Sequence, residues 1–179
     1  MRLRILVVIF VLCAGAGTAT AQDTPSVSEE TPKWTAVIDP LTFALGFAHV
    51  QIERTLTPHL SVYLGPHARL FNSLLADEKE DFLGFGLEAG VRYFFSPTAP
   101  EGAWIGVRGV AAWLTTDVTG ETTTALGGYG SALVGYTWLP TEWLVLSGGA
   151  GGQYLHYTIA GLGPKMFFVA LHTAAGVAF

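Results

Sequence analysis

Cysteine occurs only once in this chain of 179 residues, at Cys13 within an apolar N-terminal segment. That segment begins with the basic residues Arg2 and Arg4, continues as an apolar run, and reaches the A-x-A site Ala19–Ala21. The pattern is typical of a secretory signal peptide and predicts cleavage after Ala21. The mature chain would then contain no thiol, which excludes disulfides and cysteine chemistry.

Charged residues are scarce, and basic residues are the scarcer kind. Asp, Glu, Lys and Arg make up 13% of the sequence, whereas hydrophobic residues make up 50%. Removing Arg2 and Arg4 leaves 9 − 2 = 7 basic residues against 14 acidic ones, a net charge of −7. Because no basic cluster remains, we expect no nucleic-acid partner.

Long apolar runs are also missing after the predicted signal peptide, so the sequence predicts no transmembrane helix, which needs a run of about 18 residues. A mean hydropathy of +0.44 nevertheless indicates a membrane protein. The 22 glycines and 12% aromatic residues are typical of membrane-spanning β-strands, whose hydropathy signal is weak.

The stretch FLGFGLEAGVRYFF, residues 82–95, alternates between a bulky apolar face and a face of glycine and charge. Leu87 and Val91 belong to the first face, and Glu88 and Arg92 to the second. A period of two predicts a β-strand. We interpret the apolar face as a lipid-facing exterior and the charged face as part of a small polar lumen. A soluble lipocalin-type barrel would reverse this pattern, and its exterior would then carry only about one charge per strand.

Two kinds of connection alternate along the chain, as an up-and-down antiparallel barrel requires. Short Thr/Pro turns lie at 55–60, 96–102 and 139–143, and polar or glycine-rich connections lie at 72–81, 117–123 and 160–165. Seven strands are evident from about residue 47 onward, and because membrane barrels of this kind have an even number of strands, we predict an all-β transmembrane barrel of eight strands. Its first strand is expected within 33–43, with Pro40 at the upper end. The predicted organisation is a signal peptide at 1–21, a disordered periplasmic leader at 22–32 and the barrel at 33–179.

The C-terminal sequence TAAGVAF places apolar residues at alternate positions before a terminal Phe: Leu171, Ala175, Val177 and Phe179, with Thr173 as an interruption. It resembles the C-terminal insertion signal of bacterial outer-membrane β-barrels. Residues 92–109 also resemble a periplasmic hairpin of small outer-membrane barrels without an assigned function, similar in architecture to OmpA-, OmpX- and OmpW-type barrels. Over 33–179 this resemblance implies a Gram-negative outer-membrane location, contact with outer-membrane lipid and lipopolysaccharide, and insertion by the barrel insertion machinery. We expect a monomer.

Polar residues of the inward-facing parity form a candidate lumen network. Pairing across the turn at Pro58 sets His49 beside His67 and Glu53 beside Tyr63. The next hairpin brings Arg92 near Arg108, and we expect the two cations to share a carboxylate partner, either Glu88 or Glu53. The complete predicted network is His49, Glu53, Tyr63, His67, Arg69, Glu88, Arg92 and Arg108.

Metal binding and catalysis are not expected from these residues. His49, His67 and Glu53 could hold zinc, but structural zinc sites use four ligands, so we predict a hydrogen-bonded plug without metal or other cofactor. Lipid A deacylase barrels resemble this chain in size, but their His-x-Ser-Asn signature is missing and His156 has no evident Ser partner. We expect a structural or surface-interaction role for a barrel with a plugged polar lumen. A narrow channel or small-solute transporter is the alternative, and a lipid-modifying hydrolase ranks below both.

Overall fold

The computed structural model describes residues 32–44, 46–69, 83–118, 121–159 and 165–179. These residues form eight antiparallel strands that close into a barrel in which each strand neighbours the next, and one short helix. The elements are β1 (Trp34–Ile38), α1 (Pro40–Ala44), β2 (Phe47–Thr57), β3 (Leu60–Arg69), β4 (Leu83–Phe94), β5 (Gly102–Val118), β6 (Glu121–Trp138), β7 (Leu144–His156) and β8 (Lys165–Ala178). The predicted eight-stranded, up-and-down β-barrel is therefore confirmed.

Several predictions concern residues outside this description. They are the signal peptide at 1–21 with its cleavage site at Ala21, the leader at 22–32 apart from its last residue, the connection at 72–81, and the connection at 160–165 apart from Lys165. Within the described ranges, the only helix is α1, and no helix is long and apolar enough to cross a membrane.

The three predicted Thr/Pro turns lie at one end of the barrel. Pro58 and His59 join β2 to β3, residues 95–101 join β4 to β5, and residues 139–143 join β6 to β7. At the opposite end, the predicted connection 117–123 is mostly strand, because the ladder continues to the pair Val118 and Glu121. The β-branched residues of this segment favour a pleated strand, which explains the longer hairpin.

The first strand is shorter than predicted, because β1 ends at Ile38 and, after the single residue Asp39, Pro40 begins a helix. Asp39 caps this helix: its Oδ1 accepts hydrogen bonds from the N–H groups of Leu41 and Thr42, each at 3.1 Å. Asp is a preferred cap, and Pro suits the first helical position because no N–H is needed there. As a result, α1 lies against β2 and β8 beyond the end of β1.

The barrel interior is less uniformly polar than predicted. Three buried apolar clusters line it, one around Leu114, one around Trp104 and one around Val145. A small barrel fills its interior with side chains, and apolar ones serve this purpose beside the polar network. Glycine makes room for the largest of them: a Cβ at Gly135 would come within 2.4 Å of the Trp104 ring, and one at Gly149 within 3.0 Å.

The two faces of β4 follow the predicted parity. Phe85 and Leu87 are 60% and 50% exposed, whereas Glu88 and Arg92 are 1% and 3% exposed. The bulky residues therefore form the outer surface of the barrel, and the charged residues lie in its interior.

Candidate functional site in the barrel lumen

All eight residues of the predicted network are buried inside the barrel. They lie on β2 to β5, where alternation turns each of them inward. The register across Pro58 is also confirmed, because His49 pairs with His67 and Glu53 with Tyr63. The predicted residues therefore all lie in the barrel interior, and the structure shows which of them contact one another.

One ion pair joins neighbouring parts of this network. Arg92 Nη1 lies 2.5 Å from Glu53 Oε2, and both side chains are almost fully buried. The hydroxyl of Ser61 donates a hydrogen bond to Glu53 Oε1, and Arg92 Nη2 donates to Gln51 Oε1 at 3.3 Å. The carboxylate and the guanidinium are therefore both compensated by charge and by additional hydrogen bonds, as buried ions require.

Aromatic rings enclose the same guanidinium. Arg92 Cζ lies 4.7 Å from the centroid of the Tyr63 ring and 4.9 Å from that of Trp104. Its Nη2 also lies 3.1 Å from His172 Nε2 on β8. The indole of Trp104 is itself anchored, because its N–H donates to Thr137 Oγ1 at 3.0 Å. These contacts join Arg92 to side chains of β3, β5 and β8 inside the barrel.

Arg108 has a different set of partners. The β4–β5 register places Gly90 opposite Arg108, and Gly106 opposite Arg92, so the two arginines are offset along their strands. Arg108 Nε donates to Ser131 Oγ at 3.2 Å, and its Nη2 donates to the Leu171 carbonyl at 3.3 Å. Arg92 is thus paired with Glu53, while Arg108 bonds to a hydroxyl and a backbone carbonyl.

A second cluster contains both predicted histidines. His49 Nδ1 lies 2.5 Å from Glu88 Oε2, and Gln51 Nε2 donates to Glu88 Oε1 at 2.7 Å. His67 Nδ1 lies 3.0 Å from His49 Nε2, and the Tyr157 hydroxyl lies 3.0 Å from His67 Nε2. One proton assignment satisfies the chain: Tyr157 donates to His67, His67 to His49, and His49 to Glu88.

The carboxylate of this cluster differs from the one predicted from the sequence. Glu88, rather than Glu53, approaches the histidines, although it lies on β4 and His49 lies on β2. Gly65 of β3 is the register partner of Glu88 and has no side chain, so Glu88 extends over β3 toward β2. Pairing across a single turn could not predict a contact that spans three strands.

Two buried groups have no counterpart in the sequence prediction. Tyr157 lies one residue beyond β7 and keeps the inward parity of Ser147 and Gln153, but the sequence prediction did not include it, and Asp39 lies at the junction between β1 and α1. Asp39 Oδ1 accepts a hydrogen bond from Thr173 Oγ1 at 2.6 Å, and its Oδ2 lies 3.9 Å from His172 Nδ1. His172 was identifiable by its inward parity on the last strand.

The predicted C-terminal signal lies on the last strand and its end. Leu171, Val177 and Phe179 are 49%, 43% and 66% exposed on the outer surface. Phe179 also pairs with Trp34 through two backbone hydrogen bonds of 2.9 and 3.0 Å. The end of the chain therefore contributes to barrel closure as well as to the apolar exterior.

Comparison with known proteins finds no match to a protein-family model, to a curated protein or to a solved structure. The function proposed below therefore rests on the geometry of the barrel and its lumen.

Proposed function

We propose that this protein is an integral outer-membrane β-barrel with a plugged lumen, serving a structural or surface-interaction role. The observation that carries the proposal is bonding between opposite walls of the barrel. Arg92 on β4 contacts His172 on β8, four strands away, and Arg108 on β5 bonds to the Leu171 carbonyl of β8. Such contacts obstruct the bore of an eight-stranded barrel, which is only wide enough for side chains.

Two belts of exposed aromatic side chains support a membrane location. At the end with the Thr/Pro turns they are Trp34, Tyr93, Phe95, Tyr136, Trp138, Trp143 and Phe179, and toward the opposite end they are Phe85, Trp113, Tyr154 and Phe167. Aliphatic side chains such as Leu87, Val107 and Val134 occupy the outer surface between them. Aromatic belts that flank an apolar band are typical of membrane barrels, and so large an apolar surface is unusual for a soluble monomer.

The distance between the belts matches a membrane. Phe85 and Tyr93 are 93 − 85 = 8 residues apart, and Phe167 and Phe179 are 179 − 167 = 12 residues apart. At about 3.4 Å per residue, these separations correspond to about 27 and 41 Å along the strand. A tilt of about 40° reduces them to about 21 and 31 Å, which bracket the apolar band of about 25 Å in such barrels.

Arg54 fits the same arrangement, although it interrupts the apolar outer face of β2. Its guanidinium lies 5.1 Å from the centroid of the Trp34 ring, beside the belt near the Thr/Pro turns. An arginine at this level reaches the headgroup region with its charge while its stem stays against apolar surface. The proposal includes contact with outer-membrane lipid and lipopolysaccharide, and insertion by the barrel insertion machinery through the segment ending at Phe179.

Conductance tests the plugged lumen against the channel alternative. In planar lipid bilayers, the refolded protein should give a conductance near background, because Arg92, Trp104 and His172 meet inside the lumen. A porin refolded in the same detergent serves as the positive control for insertion. Steady open events with a defined unit size would favour a channel or small-solute transporter instead.

A further inference from the structure

We propose that His49, His67 and Glu88 form a binding site for a divalent transition-metal ion such as Zn²⁺. Their potential ligand atoms all lie within 4.8 Å of one another, and all three residues are buried. His49 Nδ1 lies 2.5 Å from Glu88 Oε2 and 3.4 Å from His67 Nδ1. Ligands of a tetrahedral zinc ion at about 2.0–2.1 Å are about 3.3 Å from one another, so small side-chain shifts would admit the ion.

The ligand set has a recognised chemistry. Two imidazoles and one carboxylate bind zinc with three protein ligands and leave the fourth position for water or another small ligand. The expectation against a metal applied the four-ligand rule of structural zinc sites and took Glu53 as the carboxylate. Glu53 is instead paired with Arg92, and Glu88 takes its place beside the histidines.

Neighbouring side chains orient the ligands. The Tyr157 hydroxyl, 3.0 Å from His67 Nε2, holds that ring so that Nδ1 faces His49. In the metal-bound form His67 Nε2–H would donate to the Tyr157 oxygen and leave Nδ1 unprotonated for the ion, which reverses the donor and acceptor of the metal-free chain. Gln51 donates to Glu88 Oε1 at 2.7 Å and leaves Oε2 directed toward the imidazole. Partners of this kind typically fix the orientation and the tautomer of metal ligands.

Charge also favours a cation at this position. The two oxygens of Glu88 bond to His49 and to the neutral amide of Gln51, whereas the buried carboxylate of Glu53 is compensated by Arg92. Arg108 acts on Glu88 through space, but its hydrogen bonds go to Ser131 and to the Leu171 carbonyl, so Glu88 gains more when a cation binds it directly. A divalent ion would provide that charge while both histidines remain neutral, which is the form in which they bind metals.

The backbone supplies a rigid frame for the site. His49 and His67 are direct register partners on β2 and β3, with their ring centroids 4.3 Å apart. Phe47 packs 5.5 Å from the His67 ring and covers one side of the pair. Ligands on paired strands keep their spacing without an ion, so binding does not require the barrel to rearrange.

Cobalt titration of the refolded, chelator-treated barrel in detergent tests this site. We expect one Co²⁺ per chain, with the intense visible absorption of four-coordinate cobalt, and loss of that absorption when Zn²⁺ is added. His67→Gln and Glu88→Gln should each abolish the signal. Tyr157→Phe should weaken binding about 10- to 100-fold, because it removes an orienting partner. His156→Gln, at an exposed position, is the matched control and should leave binding unchanged.

The proposal would be overturned if the wild-type protein bound no stoichiometric cobalt, or if the control variant His156→Gln lost cobalt binding. X-ray absorption of the zinc-loaded wild-type barrel provides a readout that does not depend on the folding of variants. Two imidazoles in the coordination sphere are expected, and a sphere without imidazole would contradict the site. Because the measurement is made in detergent, its failure would leave the plugged-barrel proposal intact, and conductance through the barrel would leave the metal site intact.

Discussion

Replacing Glu53 with glutamine should lower the free energy of unfolding by about 3–5 kcal/mol, measured as a shift of the urea midpoint of the refolded barrel. Glu53 and Arg92 are joined at 2.5 Å with both side chains almost fully buried. The variant would leave the guanidinium in the interior without a carboxylate partner. The stability lost when one partner is removed exceeds the net stability that the ion pair contributes, because the remaining charge stays buried without a partner.

Two further variants separate the charge effect from a general loss of packing. Glu142→Gln removes an exposed carboxylate from the turn at 139–143 and should leave the midpoint unchanged. Glu53→Gln combined with Arg92→Gln removes both charges and should recover part of the lost stability. A loss below about 1 kcal/mol in Glu53→Gln would indicate a water-filled lumen in which the pair is screened, contrary to the account.

Trp104→Ala should destabilise the barrel by about 3–5 kcal/mol, the usual cost of removing a fully buried aromatic side chain. Trp104 is 1% exposed and packs with Phe94, Leu133 and Ala170 inside the barrel. The variant would also remove the hydrogen bond to Thr137 and the ring beside Arg92. The change in urea midpoint should therefore resemble that of a core mutation in a soluble protein.

Trp113→Ala is the matched control for this experiment. Trp113 lies on the same strand, but it is 66% exposed on the outer surface. Its replacement should cost clearly less than that of Trp104, since no buried cavity forms. Equal losses for the two variants, or a larger loss for Trp113, would contradict the assignment of inner and outer faces.

Most of the barrel was predictable because alternation is a local property of the sequence. Glu88 and Arg92 share one parity, and Leu87 and Val91 share the other, so the faces of β4 could be assigned before any contact was known. The turn at Pro58 then set the register of His49 and His67, which the structure confirms. Alternation along each strand and the position of the turns together account for the burial of the eight network residues.

Contacts across the lumen were beyond this reasoning, because they depend on closure of the barrel. His172 meets Arg92 from a strand 80 residues away in sequence, and Tyr157 reaches His67 from outside any strand. The short helix after β1 was also missed, since Asp39 and Pro40 form a helix start that strand counting ignores. Inward apolar residues such as Trp104 were not predicted, because the inward face of each strand was described by its polar residues alone.

The most direct test of the membrane assignment is thiol labelling of neighbouring residues on β6. Ala132 faces outward and Ser131 is 6% exposed in the interior, so Ala132→Cys and Ser131→Cys differ in face but hardly in depth. Ser131 already carries a side chain in the interior, whereas a Cβ added at an inward glycine such as Gly86 would come within 2.0 Å of the Ala111 carbonyl oxygen. Each variant is expressed for outer-membrane insertion, and processing should remove Cys13.

In lipid vesicles, a lipid-soluble thiol reagent should modify Ala132→Cys and leave Ser131→Cys unmodified, while a membrane-impermeant maleimide should not reach Ala132→Cys. This result would place the apolar outer face in the bilayer. Rapid modification of Ala132→Cys by the impermeant maleimide would instead mean that the outer face is in water, and it would contradict the account.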